Sequence, residues 1–122
     1  MRRVVILLLL SSWVSAHELT PTYPSWSETL NPEVLSTKVT LFNRRQDVQF
    51  FAVGIYDNDW QKVPFAASDR LLRVPYLEAR ELRVYIQKEQ IGRAVYICTR
   101  SKILKGIQKL SAVSSTICSK TR

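Results

Sequence analysis

The chain has 122 residues, room for one domain, and carries 18 Lys and Arg against 10 Asp and Glu, a formal charge of +8. With one histidine, three glycines and two cysteines, it offers no Gly-rich phosphate loop and no imidazole within the fold to activate a serine. Beyond Leu10 no segment is apolar enough to span a membrane. The composition therefore points to a non-enzymatic protein.

Met1-Arg2-Arg3 is a basic start, Val4–Leu10 an apolar core, and Ser11–Ala16 a run that ends Val14-Ser15-Ala16. That is the layout of a secretory signal peptide cut after Ala16, leaving His17–Arg122 as one exported domain. The apolar core is far shorter than the roughly 20 residues of a spanning helix. A periplasmic or extracellular location follows, where disulfides persist. Cys98 and Cys118 allow one connectivity and are expected to pair; the alternative is a free buried thiol beside an exposed one.

His17–Asn31 contains Pro21 and Pro24, which suits an interrupted edge strand. Val34–Asn43 is predicted as a strand with Val39 and Leu41 on one face. Val48–Asp57, the most apolar stretch of the mature chain, is the predicted central strand. It places Phe51, Val53 and Ile55 on one side and Phe50, Ala52 and Tyr56 on the other. Asp57-Asn58-Asp59 reads as a turn, and a calcium loop there lacks its further acidic ligands. Further strands are predicted at Trp60–Phe65, Arg70–Val74, Glu81–Gln87, Arg93–Thr99 and Ser111–Ser119. Ser101–Leu110 has the period of one short amphipathic helix before the last strand.

About seven short strands punctuated by turns argue an all-β, immunoglobulin-like β-sandwich. Tyr96-Ile97-Cys98 has the spacing of that fold's tyrosine corner. Val34–Asn43 holds no cysteine to take the usual partner's place, which leaves Cys118 for Cys98.

Three features could carry binding. Cleavage after Ala16 would make His17 the amino terminus, whose amine and imidazole form a chelate suited to copper; the alternative is an exposed first residue with no cofactor. After Glu89 there is no acidic residue, while Arg93, Arg100, Lys102, Lys105 and Lys109 are basic, as expected of a surface for an anionic glycan or lipid. Export argues against nucleic acid. Phe50 and Tyr56, on the second face of the central strand, are candidates for contact with a protein partner.

An exported chain beginning Leu19-Thr20-Pro21-Thr22 continues through Val39–Asn43, a polar corner, an aromatic-aliphatic strand ending at Asp57, Val63-Pro64-Phe65, Leu71–Pro75, Leu82–Ile86 and Arg93–Cys98. This order resembles the N-terminal immunoglobulin-like domain of periplasmic pilus-assembly chaperones over Leu19–Cys98. The resemblance implies the fold and a partner engaged along an edge strand. Those chaperones have a second domain and anchor a client's carboxylate through a basic pair in the cleft between the two. Here a single domain is expected, so that pair is not carried over. Their donated strand is bulky and apolar, whereas Ala112–Cys118 is small and polar. The expected function is an exported binding or assembly module of the cell envelope with an exported protein partner. A copper-binding periplasmic protein and a structural component of a surface fibre or virion are the alternatives.

Overall fold

The strongest alternating segments pair first. In the computed structural model, which describes residues 16–102 and 114–122, β3 (Val34–Phe42) and β7 (Ala79–Gln87) form an antiparallel ladder running from Val34 opposite Gln87 to Phe42 opposite Ala79. Every second residue faces inward, so Leu35, Val39 and Leu41 meet Leu82, Val84 and Ile86 in the core. Lys38, opposite Arg83 on the outer face, pairs diagonally with Glu81 at 3.2 Å. β1 (Glu18–Thr20) and β2 (Ser27–Glu28) add to β3, and β5 (Ala66–Ala67) adds to β7, completing the first sheet.

The second sheet is built around β4 (Phe50–Tyr56). It lies between β6 (Leu71–Arg73) and β8 (Tyr96–Lys102), and β9 (Thr116–Lys120) borders β8. Phe51, Ile55 and Ile97 point into the sandwich and are fully buried, against the inner row of the first sheet. Burying each such side chain contributes about 1.5–3 kcal/mol. The two facing sheets form an immunoglobulin-like β-sandwich, and among the described residues the only helical element is a 3₁₀ turn at Lys88–Gln90.

Cys98 and Cys118 are bonded, as expected, and tie β9 to its neighbour across a pair with Cα atoms 4.1 Å apart. That spacing belongs to the closer, non-hydrogen-bonded type of antiparallel pair. A disulfide of this kind persists in oxidising compartments. No helix among the described residues is long and apolar enough to cross a membrane.

Several boundaries differ from the sequence expectation. Trp60–Phe65 is not a strand. Trp60 takes a left-handed backbone conformation, φ 60°, which closes the Asp57 turn and leaves only a single bridge between Tyr56 and Lys62. The strand expected at Arg93–Thr99 begins three residues later. The carbonyl of Gln90 accepts from both Arg93 and Ala94 N–H, and that turn uses the amides a ladder would need. Ser101 and Lys102, expected to open a helix, complete β8. The rest of that predicted helix, with Lys105 and Lys109, lies outside the described residues, as do Ser111–Val113 and most of the predicted signal peptide.

Asn43 closes the corner after β3. Its Nδ2 donates to the carbonyls of Val48 (2.7 Å) and Val74 (2.8 Å), and its Oδ1 accepts from Arg45 N–H (2.8 Å). The side chain is fully buried and holds three chain segments together.

Candidate functional site

The outer face of the second sheet carries the most distinctive surface. Along β4 the outward residues are Phe50, Ala52, Gly54 and Tyr56; along β8 they are Tyr96, Cys98, Arg100 and Lys102. Register places Ala52 opposite Arg100 and Gly54 opposite Cys98. Small residues at 52 and 54 keep the centre of this face low. A Cβ on Gly54 would stand 2.8 Å from the Tyr56 hydroxyl, so the glycine lets the Tyr56 ring lean back along the strand.

The side wall comes from the chain between β4 and β6. After the Asp57 turn, Val63 N–H donates to Ile55, and the chain then crosses to the first sheet through Pro64 and Phe65. It returns at Arg70, whose carbonyl accepts from Val53 N–H. The Arg70 guanidinium donates to the Phe65 carbonyl at 2.6 Å and sits 4.6 Å over the Phe65 ring. The result is a groove of about 700 Å³, floored by Ala52, Gly54 and Cys98 and flanked by Lys62, Arg70, Arg100 and Lys102. Among the described residues no acidic side chain lines it. Trp60 closes one end, stacked on Tyr96 with centroids 4.4 Å apart and tilted against Tyr56 at 6.3 Å.

Of the sequence-predicted basic residues, Arg100 and Lys102 reach this groove. Arg93 does not: it sits in the turn before β8, bonded to Gln90 and 3.8 Å from the Asp57 carboxylate. Tyr56 lines the groove, while Phe50 lies beyond it, opposite Lys102. Lys62, Arg70 and Phe65 were not singled out by sequence. The available signal was the Ala52/Gly54 pair, small outward residues in an otherwise bulky strand.

His17 is in a different place altogether. Its ring is buried, 2% exposed, against Phe51 at 4.6 Å between centroids. Nε2 lies 3.1 Å from the Thr99 carbonyl and 2.8 Å from its hydroxyl, and Nδ1 lies 3.1 Å from the Ser115 hydroxyl. A carbonyl can only accept, so Nε2 carries the proton and Nδ1 accepts from Ser115. Arg45, also buried, chelates Asp47 through two bonds of 2.9 and 2.7 Å and reaches Ser101 and Ser115. Copper chelation through His17 would draw the ring off one of these partners. Among the described residues no group of three or more His, Cys, Asp or Glu is placed to hold a metal.

Burial, and secondarily the positive charge of Arg45, hold the His17 imidazole below its ordinary value of 6.5; the Thr99 backbone bond opposes this. A lowered folded-state value means that the unfolded chain takes up the proton first. The stability tied to neutral His17 is complete above pH 6.5 and is lost as pH falls below it towards the folded-state value. The urea midpoint should therefore drop between pH 7.5 and pH 5, and His17→Gln should flatten that part of the profile. An unchanged slope in the variant would remove His17 as the cause.

No protein-family model matches the sequence, and no curated protein matches it. The sandwich does match a solved structure. The crystal structure of the E. coli chaperone DraB aligns with a TM-score of 0.63 at 16% identity, over 87% of this chain and 53% of that one. The chain has the fold of a chaperone domain. It spans about half the length of the chaperone chain it matches.

The backbone of β9 is covered unevenly along its length. Ser101 N–H donates to Ser115, and Thr121 N–H to Val95, so odd positions of β9 face β8 and even positions face outward. Lys120 and Arg122 N–H are taken by the carbonyls of Thr22 and Pro24, after the segment leaves the first sheet at the cis Thr20–Pro21 bond. Among the described residues, β9 has a strand neighbour only in β8, and its outward side is open along Thr116 and Cys118.

Proposed function

We propose that the chain is an exported, non-enzymatic binding module of the cell envelope that engages a protein partner along the outward side of β9. The observation that supports this best is the uneven covering of that strand. Its C-terminal half is capped by Thr22 and Pro24, while Thr116 and Cys118 present backbone groups on the other half. An extended segment of a partner can pair there as an added strand, with main-chain hydrogen bonds supplying affinity. The likeness to a chaperone domain supports the same conclusion at the level of fold. The disulfide and the amino-terminal sequence pattern support export.

Proline at an outward edge position removes a donor without breaking the inner ladder. Thr116→Pro should therefore leave the unfolding free energy from urea titration within about 1 kcal/mol of the parent, since Thr116 does not bond β8 through its amide. It should also abolish a stoichiometric complex with exported proteins encoded beside this one, co-produced and purified from the periplasm. A complex that survives Thr116→Pro, or a correctly disulfide-bonded chain that binds none of those proteins, would refute edge pairing.

A further inference from the structure

The groove on the outer face of the second sheet reaches β9 only at Thr116 and has its own chemistry. Elsewhere on the surface many cations are matched: Lys38 with Glu81, Arg44 with Glu18, Arg80 with Glu78, Arg93 with Asp57. Lys62, Arg70, Arg100 and Lys102 form no ion pair among the described residues, yet they converge on one concavity. Converging unpaired cations repel one another, and an anionic guest relieves that repulsion. Two of the four are also restrained: Arg70 is clipped to the Phe65 carbonyl and ring, and Arg100 Nε reaches the Ser114 hydroxyl at 3.4 Å. Restraint lowers the entropy lost when a guest is bound.

We propose that this groove is a binding site for a short acidic oligosaccharide carrying carboxylate or sulfate groups. The volume of about 700 Å³ exceeds what a single inorganic anion fills and lies within the range of small-molecule sites. Trp60, 57% exposed although large and aromatic, lies at the end of the groove with its ring held against Tyr96. An exposed, pre-positioned indole offers a flat apolar face to the C–H side of a sugar ring, while the guanidinium groups take its acidic substituents in paired hydrogen bonds. Single-stranded nucleic acid would also stack and pair with cations. The disulfide beside the groove floor argues against it, because such bonds persist where the polyanions are extracellular or envelope glycans. An anionic membrane would approach a flat or convex face, and these cations line a recess.

The test is titration of the disulfide-bonded chain, by calorimetry and indole fluorescence, with a sulfated hexasaccharide, an oligogalacturonate, neutral maltohexaose, inorganic sulfate, a single-stranded oligonucleotide and phosphatidylglycerol vesicles. One or both acidic oligosaccharides should bind, with affinity falling as salt rises, while maltohexaose does not bind. Arg100→Glu combined with Lys62→Glu should weaken binding at least about tenfold, as expected for charge-assisted bonds. Arg83→Glu, the same kind of charge change on the opposite sheet, should leave it within about twofold, because screening isolates distant surface charges. Trp60→Asn keeps a residue that tolerates the left-handed backbone and should weaken binding about threefold or more without changing charge. Four results would each overturn the proposal: no binding of either acidic oligosaccharide; equal loss in Arg83→Glu and Arg100→Glu; full affinity in Trp60→Asn; or tighter binding of sulfate, oligonucleotide or vesicles. Lys62→Glu, on the side of β4 away from β9, should weaken oligosaccharide binding and keep the co-purified protein complex, so failure of edge pairing and failure of the groove are distinguishable.

Discussion

Asn43→Ala should destabilise the fold by about 4 kcal/mol, a large share of the 5–15 kcal/mol typical of a domain. The side chain is fully buried and makes three bonds to backbone groups that have no water in reach. Alanine would orphan the carbonyls of Val48 and Val74 and the amide of Arg45. Each such loss costs about 1–3 kcal/mol. The backbone of Asn43 itself would remain bonded to Glu78 and Leu77, so the corner is weakened and not dissolved. Asn43→Asp should be at least as harmful: a carboxylate supplies no donors and would face two carbonyl oxygens. Urea unfolding with an unchanged m-value measures the effect. A loss below about 1 kcal/mol in Asn43→Ala would mean that water replaces the side chain and that the corner is less closed than its geometry. Arg45 follows Asn43 in the same loop and packs against Ser115, so the variant should also loosen the contacts that hold His17.

How much of this could be read beforehand depended on whether local pattern or long-range register decides the feature. β3 and β7 were legible because each is buried on one face. Val39 and Leu41, and Leu82, Val84 and Ile86, alternate with solvent-facing partners as a half-buried sheet requires. The Asp57 turn was legible because its carboxylate bonds its own neighbours, Asp59 and Gln61 N–H. Trp60–Phe65 misled because its alternation suits a strand, while the turn geometry at Trp60 carries the chain away from the ladder. Arg93-Ala94-Val95 extends the alternation of β8 backwards, yet Gln90 captures two of the amides. The groove was half legible. The basic C-terminal run pointed to Arg100 and Lys102, but Lys62 and Arg70 join them only through the β4–β8 register and the crossing of the chain between sheets. His17 shows the limit most plainly. A lone histidine beside a proline-rich segment gives no sign of burial, which arises because the chain before β1 sets it against Thr99 in the middle of β8.

Phe51→Ala should cost about 3–5 kcal/mol, the range for truncating a buried aromatic whose cavity cannot collapse. Collapse is restricted here, because Phe51 sits mid-sheet, opposite Ser101 of β8 on one side and Leu72 of β6 on the other. Its ring is fully buried and lies against His17. That contact gives the substitution a second signature beyond lost packing. Desolvation is the main cause holding the His17 imidazole below its ordinary value, and the Phe51 ring is part of what excludes water. Opening a cavity beside the imidazole should let water in and return it towards 6.5. The folded and unfolded states would then take up the proton over the same pH range, and the acid-side loss of stability would shrink. The difference between parent and Phe51→Ala should therefore be greatest at pH 7.5 and smaller at pH 5. Phe51→Leu, which keeps most of the volume, should cost no more than about 1.5 kcal/mol and preserve the parent's pH dependence. Urea titrations of the three proteins at both pH values decide the matter. A penalty for Phe51→Ala that is the same at pH 7.5 and pH 5 would show that Phe51 packs the core without shielding His17, and a penalty below about 2 kcal/mol would show a core able to close around the missing ring.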